Sequence, residues 1–364
     1  NKKVSSYLYY KNKLIILLLF SSYTITIIFF YSNSRGKLFM KKIIAVATLS
    51  ALCVTSLFAF DAKVFKEHSD TGYKSDEKLE YKIPDEKNIP NNEFGDLVKY
   101  GKELIVHTSK YIGPEVKDSK MRYAGNNLNC QSCHLDAGTK PYSSSYIGIF
   151  AAFPQYGARG NSIGTLADRI NGCMERSMNG KKLPLDSKEM NAMQTYMYWL
   201  SQGYPVAGVD KLEGRGLSPI DRKMIKTQAA DPIKGKVVYE QQCASCHGSN
   251  GEGVKNDGKA NGYLYPPLWG KDTYNKGAGM YRILKASDFI KSNMPLGATK
   301  ENPVLTDEEA YNVAAFINMD SNFRPDKADR IKDFPLEDVK APDVYRPNIE
   351  TKENQVGPFG KFIK

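Results

Sequence analysis

One five-residue pattern occurs twice in the chain and constrains its fold more than any other feature. The sequence C-Q-S-C-H at 130–134 and the sequence C-A-S-C-H at 243–247 both read C-x-x-C-H. In this motif two thiols can add to the vinyl groups of a haem while the adjacent histidine ligates its iron. We therefore predict two covalently bound haem c groups. The predicted attachment cysteines and histidine ligands are Cys130, Cys133, His134, Cys243, Cys246 and His247.

A zinc ribbon is the main alternative explanation of paired C-x-x-C motifs. Its pairs normally lie ~15–20 residues apart and need no histidine after each pair. Here the whole stretch from 135 to 242 separates the motifs, and the chain has only 4 histidines among 364 residues. A histidine directly after both pairs therefore favours haem over zinc.

The length of 364 residues fits two or three domains. We predict an all-α fold with two haem domains of the class I cytochrome c type, joined by a linker and flanked by an extended N-terminal arm and a C-terminal tail. The predicted segments are an arm over 60–92, a first haem domain over 93–205, a linker over 206–231, a second haem domain over 232–322 and a tail over 323–364. The tail contains five prolines and is predicted to run over the surface without forming a domain.

The first 59 residues resemble sequence that precedes a mature protein. Met40-Lys41-Lys42, an apolar run and small residues near Ala59 predict a Sec-type signal peptide over 40–59. Export to the periplasm is therefore expected, with no membrane span in the mature protein. Residues 1–39 are interpreted as upstream sequence translated past the true start, and a transmembrane helix over 14–30 is the competing interpretation.

The formal net charge of +11 does not indicate a polyanionic partner. Its excess lies before residue 60, where basic residues are present and Asp and Glu are absent. The rest of the chain is nearly balanced, so charge gives no reason to expect binding to nucleic acid.

Sequence patterns typical of helices occur before and after both motifs. Apolar residues recur at helical spacing over 94–105, and the second motif directly follows a predicted helix over 234–242. A capping box at 306–309 predicts the start of a last helix. Another helix is expected to open at 186–189, and the residues on its apolar side are expected to pack in the core. They are Met190, Met193, Tyr196, Met197 and Leu200.

The segment that follows the first motif contains a cluster of chemically active side chains. Thr165 and Asp168 have the spacing of a capping box, so a helix is expected to begin there. On such a helix Arg169, Cys173 and Ser177 are four residues apart and share one face.

The residue opposite histidine at each iron determines what each haem can do. For the second haem the candidates are Met280, Met294 and Met319, and Pro295 makes Met294 the favoured one because it fixes an extended loop there. Lys291 is a less favoured alternative. Ligation by His and Met raises the reduction potential, which suits electron relay.

The first domain has no comparable pair of methionine and proline, so Met174, Met178 and Cys173 are all available as ligands of the first haem, and cysteine counting helps to choose among them. Of the 6 cysteines, Cys53 lies in the predicted signal peptide and four belong to the motifs, which leaves Cys173. A buried thiol that packs as a small hydrophobe is one explanation. A functional role for Cys173 is favoured by three nearby arginines, Arg159, Arg169 and Arg176. Cations and iron stabilise a thiolate, and guanidinium groups bind oxyanions.

The sequence C-M-E-R-S-M-N-G at 173–180, within 159–180, resembles the thiosulfate dehydrogenase family of dihaem cytochromes c, some of which act as tetrathionate reductases. The segments 262–270 and 289–295 are similar to the same family. The resemblance implies that Cys173 ligates the first haem and that Arg159, Arg169 and Ser177 belong to the substrate site. Some relatives carry a lysine directly before the methionine ligand. Asn293 stands there in this chain, so plain His and Met ligation by Met294 is expected.

We therefore expect an enzyme that interconverts two thiosulfate ions and tetrathionate. Its electrons are expected to pass through both haems to a soluble c-type cytochrome or another periplasmic electron donor or acceptor. Two alternatives remain open: a non-catalytic dihaem electron-transfer cytochrome, and a dihaem peroxidase, which needs an acid–base residue that the sequence does not indicate. The residues do not encode the preferred direction, because it depends on haem potentials and partners.

Overall fold

The structure is a computed structural model. It describes residues 78–157, 162–205, 209–256, 262–319, 327–330, 333 and 355–361, together with the backbone of four strands that end at residue 41. Predictions for Cys53, Arg159 and nearly all of the signal peptide fall outside these residues.

The chain divides into two compact units, 1–74 and 75–364. In the first unit four antiparallel strands pair in the order β1-β2-β3-β4. They are Ser5–Lys11 (β1), Leu14–Ser21 (β2), Thr24–Ser32 (β3) and Leu38–Lys41 (β4). The described residues of the stretch over 14–30, for which a transmembrane helix was the competing interpretation, belong to strands β2 and β3. Among the described residues, no helix combines the length and the apolar character needed to cross a membrane.

The second unit is mostly helical, as predicted. The helices before residue 200 are Glu93–Val106 (α1), Thr108–Ile112 (α2), Leu135–Gly138 (α3), Leu166–Arg176 (α4) and Lys188–Trp199 (α5). The later helices are Met224–Thr227 (α6), Pro232–Gln242 (α7), Ala244–His247 (α8), Ile283–Asn293 (α9) and Asp307–Asn318 (α10). Two short hairpins join β5 (Gln155–Gly157) to β6 (Ser162–Gly164), and β7 (Val254–Lys255) to β8 (Tyr263–Tyr265).

Both predicted haem domains are built around the same helix crossing. In the first domain α1 packs against α5, and in the second α7 packs against α10. A glycine allows the close approach in each case. A Cβ atom on Gly101 of α1 would lie 2.1 Å from the carbonyl oxygen of Ala192, and one on Gly235 of α7 would lie 2.0 Å from that of Asn312. In the second domain the motif directly follows α7. In the first domain α2 lies between α1 and the motif, and the backbone N–H of Cys130 donates to the hydroxyl oxygen of Thr108 at 2.9 Å.

Two main hydrophobic clusters form the cores, one in each domain. The apolar side of α5 that was predicted to pack in the core is buried, which confirms that prediction. The tail differs from its prediction. Val356 and Phe359 are buried in the cluster of the second domain, and the hydroxyl of Tyr311 donates to the carbonyl oxygen of Val356 at 2.7 Å. This part of the tail supplies core residues because its sequence combines proline with apolar side chains such as those of Val356 and Phe359.

The crossing of α7 and α10 gives a stability prediction. We expect Gly235→Ala to lower the free energy of unfolding by about 1–3 kcal/mol, because the new Cβ meets backbone and cannot be relieved by a side-chain rotation. Urea denaturation measures this change. Gly279→Ala is the control, since a Cβ atom there would have nothing within 4 Å. Equal stability of the two variants would contradict the proposed role of Gly235.

Candidate functional site

A cavity of about 320 Å³ lies beside the first motif. Cys130, Cys133 and His134 line one part of it, and Arg169, Cys173 and Ser177 line another. The remaining described lining is largely apolar and includes four methionines. They are Met174, Met178, Met193 and Met197.

Local sequence explains why α4 presents three functional side chains to this cavity. The hydroxyl oxygen of Thr165 accepts from the backbone N–H of Asp168 at 3.2 Å, and the Asp168 carboxylate accepts from the backbone N–H of Thr165 at 2.9 Å. This capping box starts the helix at Leu166. The four-residue spacing then places Arg169, Cys173 and Ser177 on the cavity side, as the sequence predicts.

Arg169 and Cys173 form a direct pair. The Nη1 atom of Arg169 donates to the Sγ atom of Cys173 at 2.9 Å. The charge of the Cys173 sulfur raises the pKa of Arg169 above its ordinary value, although burial acts in the opposite direction. A guanidinium at this distance stabilises the thiolate form of a cysteine, which is the form that ligates metals. The pair thus joins a sulfur that is predicted to ligate iron to a group that is able to bind anions.

The arginines near Cys173 do not all face the cavity. Arg159 lies outside the described residues. Arg176 is absent from the described lining; its Nη1 donates to the carbonyl oxygen of Gly172 at 3.4 Å, and burial lowers its pKa. Arg215 does line the cavity, with its Nε donating to the carbonyl oxygen of Val209 at 3.1 Å. It comes from the predicted linker, where no spacing pattern points to a site.

A backbone carbonyl orients the histidine of the first motif. The Nδ1 atom of His134 lies 2.6 Å from the carbonyl oxygen of Ser144, so Nδ1 carries the proton and Nε2 keeps its lone pair for iron. The Tyr146 ring stacks on the imidazole with centroids 4.5 Å apart. Gly138, at φ 85°, makes room for that ring, because a Cβ atom there would lie 2.1 Å from it. The sequence signal for these contacts is weak, since they come from a loop.

The second motif repeats this arrangement. The Nδ1 atom of His247 lies 2.8 Å from the carbonyl oxygen of Pro266, which leaves Nε2 available to iron. Burial lowers the pKa of His247, so the neutral imidazole required of an iron ligand is favoured. The paired prolines at 266 and 267 are the sequence feature that could have indicated this rigid acceptor.

Met294 stands at the end of α9 in extended backbone conformation, as its proline neighbour predicts. It packs against the core cluster of the second domain, and so do Met280 and Met319, so packing does not choose among them. The alternative ligand Lys291 is engaged elsewhere. Its Nζ atom donates to the carbonyl oxygen of Leu305 at 2.6 Å and lies 3.0 Å from the Asp307 carboxylate.

The residues at both motifs fit haem c. Each motif offers two thiols and an imidazole whose Nε2 is available. The first motif also faces a largely apolar cavity that the thiol of Cys173 borders. Zinc fits less well. Within the described residues, no three side chains of His, Cys, Asp or Glu converge in a way that could hold a metal ion.

Comparisons with known proteins agree with this chemistry. The family model described as SoxA/TsdA, cytochrome c domain, matches residues 120–206, and the cytochrome c model matches 233–319. Each range contains one motif, and the chain is therefore a c-type cytochrome that binds haem c. The boundaries predicted at 93–205 and 232–322 remain predictions.

Curated relatives and a solved structure are similar over most of the chain. A thiosulfate dehydrogenase of Stutzerimonas stutzeri is 40% identical over 245 residues, which cover 67% of this chain and 73% of that protein. One of Psychrobacter arcticus is 41% identical over 258 residues, covering 71% and 72%. The structure of thiosulfate dehydrogenase (TsdBA) from Marichromatium purpuratum, in its as-isolated form, has a TM-score of 0.57 at 33% identity. It matches 67% of this chain, which spans half the length of that one.

The number of attached haems is directly testable by removing one attachment site. We expect the denatured holoprotein to exceed its polypeptide mass by two haems, and the variant Cys243→Ser with Cys246→Ser to exceed it by one. Mass spectrometry of the denatured chain measures this, because thioether bonds survive unfolding. Cys173→Ser is the matched control and should retain both haems. Loss of haem from that control would contradict the assignment.

Proposed function

Since the chain belongs to the thiosulfate dehydrogenase family of c-type cytochromes, we propose that its cavity beside Cys130–His134 joins two thiosulfate ions to form tetrathionate, and runs the reverse reaction. The observation that carries this proposal is the hydrogen-bonded pair of Arg169 and Cys173 inside that cavity. The Cys173 thiolate is able to ligate iron, and the Arg169 guanidinium is able to bind a sulfonate.

The reaction needs positive charge more than it needs proton transfer. Two thiosulfate dianions form one sulfur–sulfur bond and release two electrons, and no proton is gained or lost. At a separation of ~5 Å their repulsion is on the order of 3 kcal/mol in water and above ~10 kcal/mol at an effective dielectric constant of 20. Guanidinium groups offset this repulsion because they bind oxyanions through two parallel hydrogen bonds.

The described cavity lining matches this requirement. It contains Arg169 and Arg215 and no Asp or Glu. We assign sulfonate binding to Arg169, with Arg159 as the second group expected from the family resemblance. Arg215 adds to the positive charge of the cavity. The hydroxyl of Ser177 donates a hydrogen bond to a sulfonate oxygen.

Cys173 would hold the iron of the first haem together with His134, and Met294 would hold that of the second together with His247. Cys130, Cys133, Cys243 and Cys246 would bind two haem c groups covalently, and these groups would supply the one-electron chemistry. The expected electron partner is a soluble c-type cytochrome or another periplasmic donor or acceptor. We place the protein in the periplasm, on the basis of the basic and apolar pattern of residues 40–59.

The two alternatives fit the cavity less well. A pure electron-transfer cytochrome has no use for a guanidinium paired with a thiol beside its haem. A peroxidase needs an acid–base residue near the open face of its haem. Among the described residues that line the cavity, His134 is the only histidine and carboxylates are absent.

Substitution of Arg169 tests the substrate role. We expect Arg169→Gln to lower kcat/KM for thiosulfate and for tetrathionate by about 10²–10³, because a preorganised cation is lost from the site. Steady-state assays in both directions measure this change. Arg122→Gln is the control, since Arg122 belongs to the same domain and its Nε donates to the carbonyl oxygen of Val116, away from the cavity lining. An Arg169→Gln protein with unchanged kcat/KM would rule out the assignment.

Substitution of Cys173 tests the ligand role. We expect Cys173→Gly to retain both haems, to lose the low-spin thiolate signature of one haem and to lose turnover. Electron paramagnetic resonance and the same assays measure these effects. A variant with both haems and full turnover would show that Cys173 is inert. Two spectra of the His and Met type in the unsubstituted protein would instead support a pure electron-transfer cytochrome.

A further inference from the structure

The C-terminal end of α4 is held by groups from outside the helix. The last carbonyl groups of any α-helix lack partners within that helix. In α4 these carbonyls belong to the turn that directly follows Cys173, which includes Glu175 and Arg176, and Ser177 caps the helix. Whatever satisfies these carbonyls therefore also fixes the position of Cys173 and Ser177.

Asn275 of the second haem domain donates to two of them, the carbonyls of Glu175 and Arg176, which also accept from the Nη1 atom of Arg330 at 3.1 Å and from the backbone N–H of Asn179 at 3.3 Å, respectively. Its side chain is fully buried, at 0% exposure. The Nδ2 atom of Asn275 donates to the carbonyl oxygen of Glu175 at 2.9 Å and to Oδ1 of Asn179 at 3.0 Å. The backbone N–H of Asn275 donates to the carbonyl oxygen of Arg176 at 3.2 Å. The donors and acceptors are about a hundred residues apart in sequence.

Asn126 of the first domain hydrogen-bonds to both the end of α4 and the second domain. Its Nδ2 atom donates to the carbonyl oxygen of Ser177 at 2.9 Å and to that of Thr273 at 3.0 Å. The hydroxyl of Thr273 donates to the carbonyl oxygen of Pro267 at 2.8 Å. Pro267 directly follows Pro266, whose carbonyl oxygen accepts from His247. Hydrogen bonds therefore connect the segment that orients the second histidine with the end of the helix that carries Cys173.

We propose that Asn126, Thr273 and Asn275, here called the interdomain clamp, position Cys173 and Ser177 in the cavity. The two cytochrome domains are then one functional unit, because the second domain completes the site of the first. Asn275 is a positioning residue that acts through α4 and does not touch the substrate. This inference rests on the proposed function in taking Cys173 to act at the first haem.

Asn275→Ala in the full-length holoprotein tests the clamp. The substitution removes both hydrogen bonds that the Nδ2 atom donates. We therefore expect faster amide hydrogen exchange over 173–180 and a weakened thiolate signature of the first haem. We expect kcat to fall by about 10- to 100-fold, as misplacement of a reacting group does. The potential of the second haem should stay unchanged. Asn275→Asp keeps the acceptor for the N–H of Gly277 but loses the same donors, and should match the alanine variant.

Asn312→Ala is the matched control. Asn312 is a buried asparagine of the second domain whose Oδ1 accepts from the backbone N–H of Asp231 at 2.8 Å, outside the clamp. Asn312→Ala should lower the free energy of unfolding without changing amide hydrogen exchange over 173–180 or the thiolate signature of the first haem. If Asn275→Ala fails to accumulate as folded protein, Asn126→Ser removes the other donor and provides the same readouts.

The outcomes separate the clamp from the proposed function. Unchanged exchange over 173–180 and an unchanged signature in folded Asn275→Ala would overturn the clamp. A holoprotein whose spectrum does not differ from that of Cys173→Gly would overturn ligation by Cys173. In that second case, hydrogen exchange over 173–180 would still decide whether the clamp holds α4.

Discussion

The hydrogen bond between a ligand histidine and a backbone carbonyl is the contact on which both predicted haem sites depend. In the first domain the acceptor is Ser144, and in the second it is Pro266. Each bond fixes the tautomer and aims Nε2 at the position where iron is expected. The C-x-x-C-H motif supplies the ligand, but the loop that follows it decides in which direction the imidazole points. The apolar cavity lining and the sulfur of Cys173 can act on a haem only when the imidazole points toward them.

The two domains share one architecture and differ in chemistry. Gly101 and Gly235 serve the same close helix crossing, and each crossing is followed by a motif. The difference arises from α4, whose cavity face carries Arg169 and Cys173. This face brings a cation and a thiol to the first site, whereas the sulfur predicted for the second site is the neutral thioether of Met294 at the end of α9. In the proposed function, sulfur chemistry and electron relay occupy separate copies of one fold.

The sequence predicts those features that depend on neighbours along the chain. Thr165 and Asp168 start α4, and four-residue spacing then places Arg169 and Cys173 on one face, so local rules suffice. Features that depend on distant residues were missed. Arg215 lies in a linker with no periodic pattern, and Asn275 reaches Glu175 across about a hundred residues. Nothing in the composition of either segment indicates where its side chains meet the rest of the fold.

The junction at Asn275 limits how freely this chain can exchange modules. Cytochrome domains of one type serve many proteins as interchangeable parts, and a gene fusion that replaced the second domain could preserve electron transfer. Such a chimaera would nevertheless remove the Asn275 donors from the carbonyl groups of Glu175 and Arg176 unless the incoming domain carried an equivalent asparagine. If the clamp acts as proposed, recombination between relatives is constrained at residues outside the described cavity lining, and a designer of fused cytochromes would have to transplant residues 273–275 along with the fold.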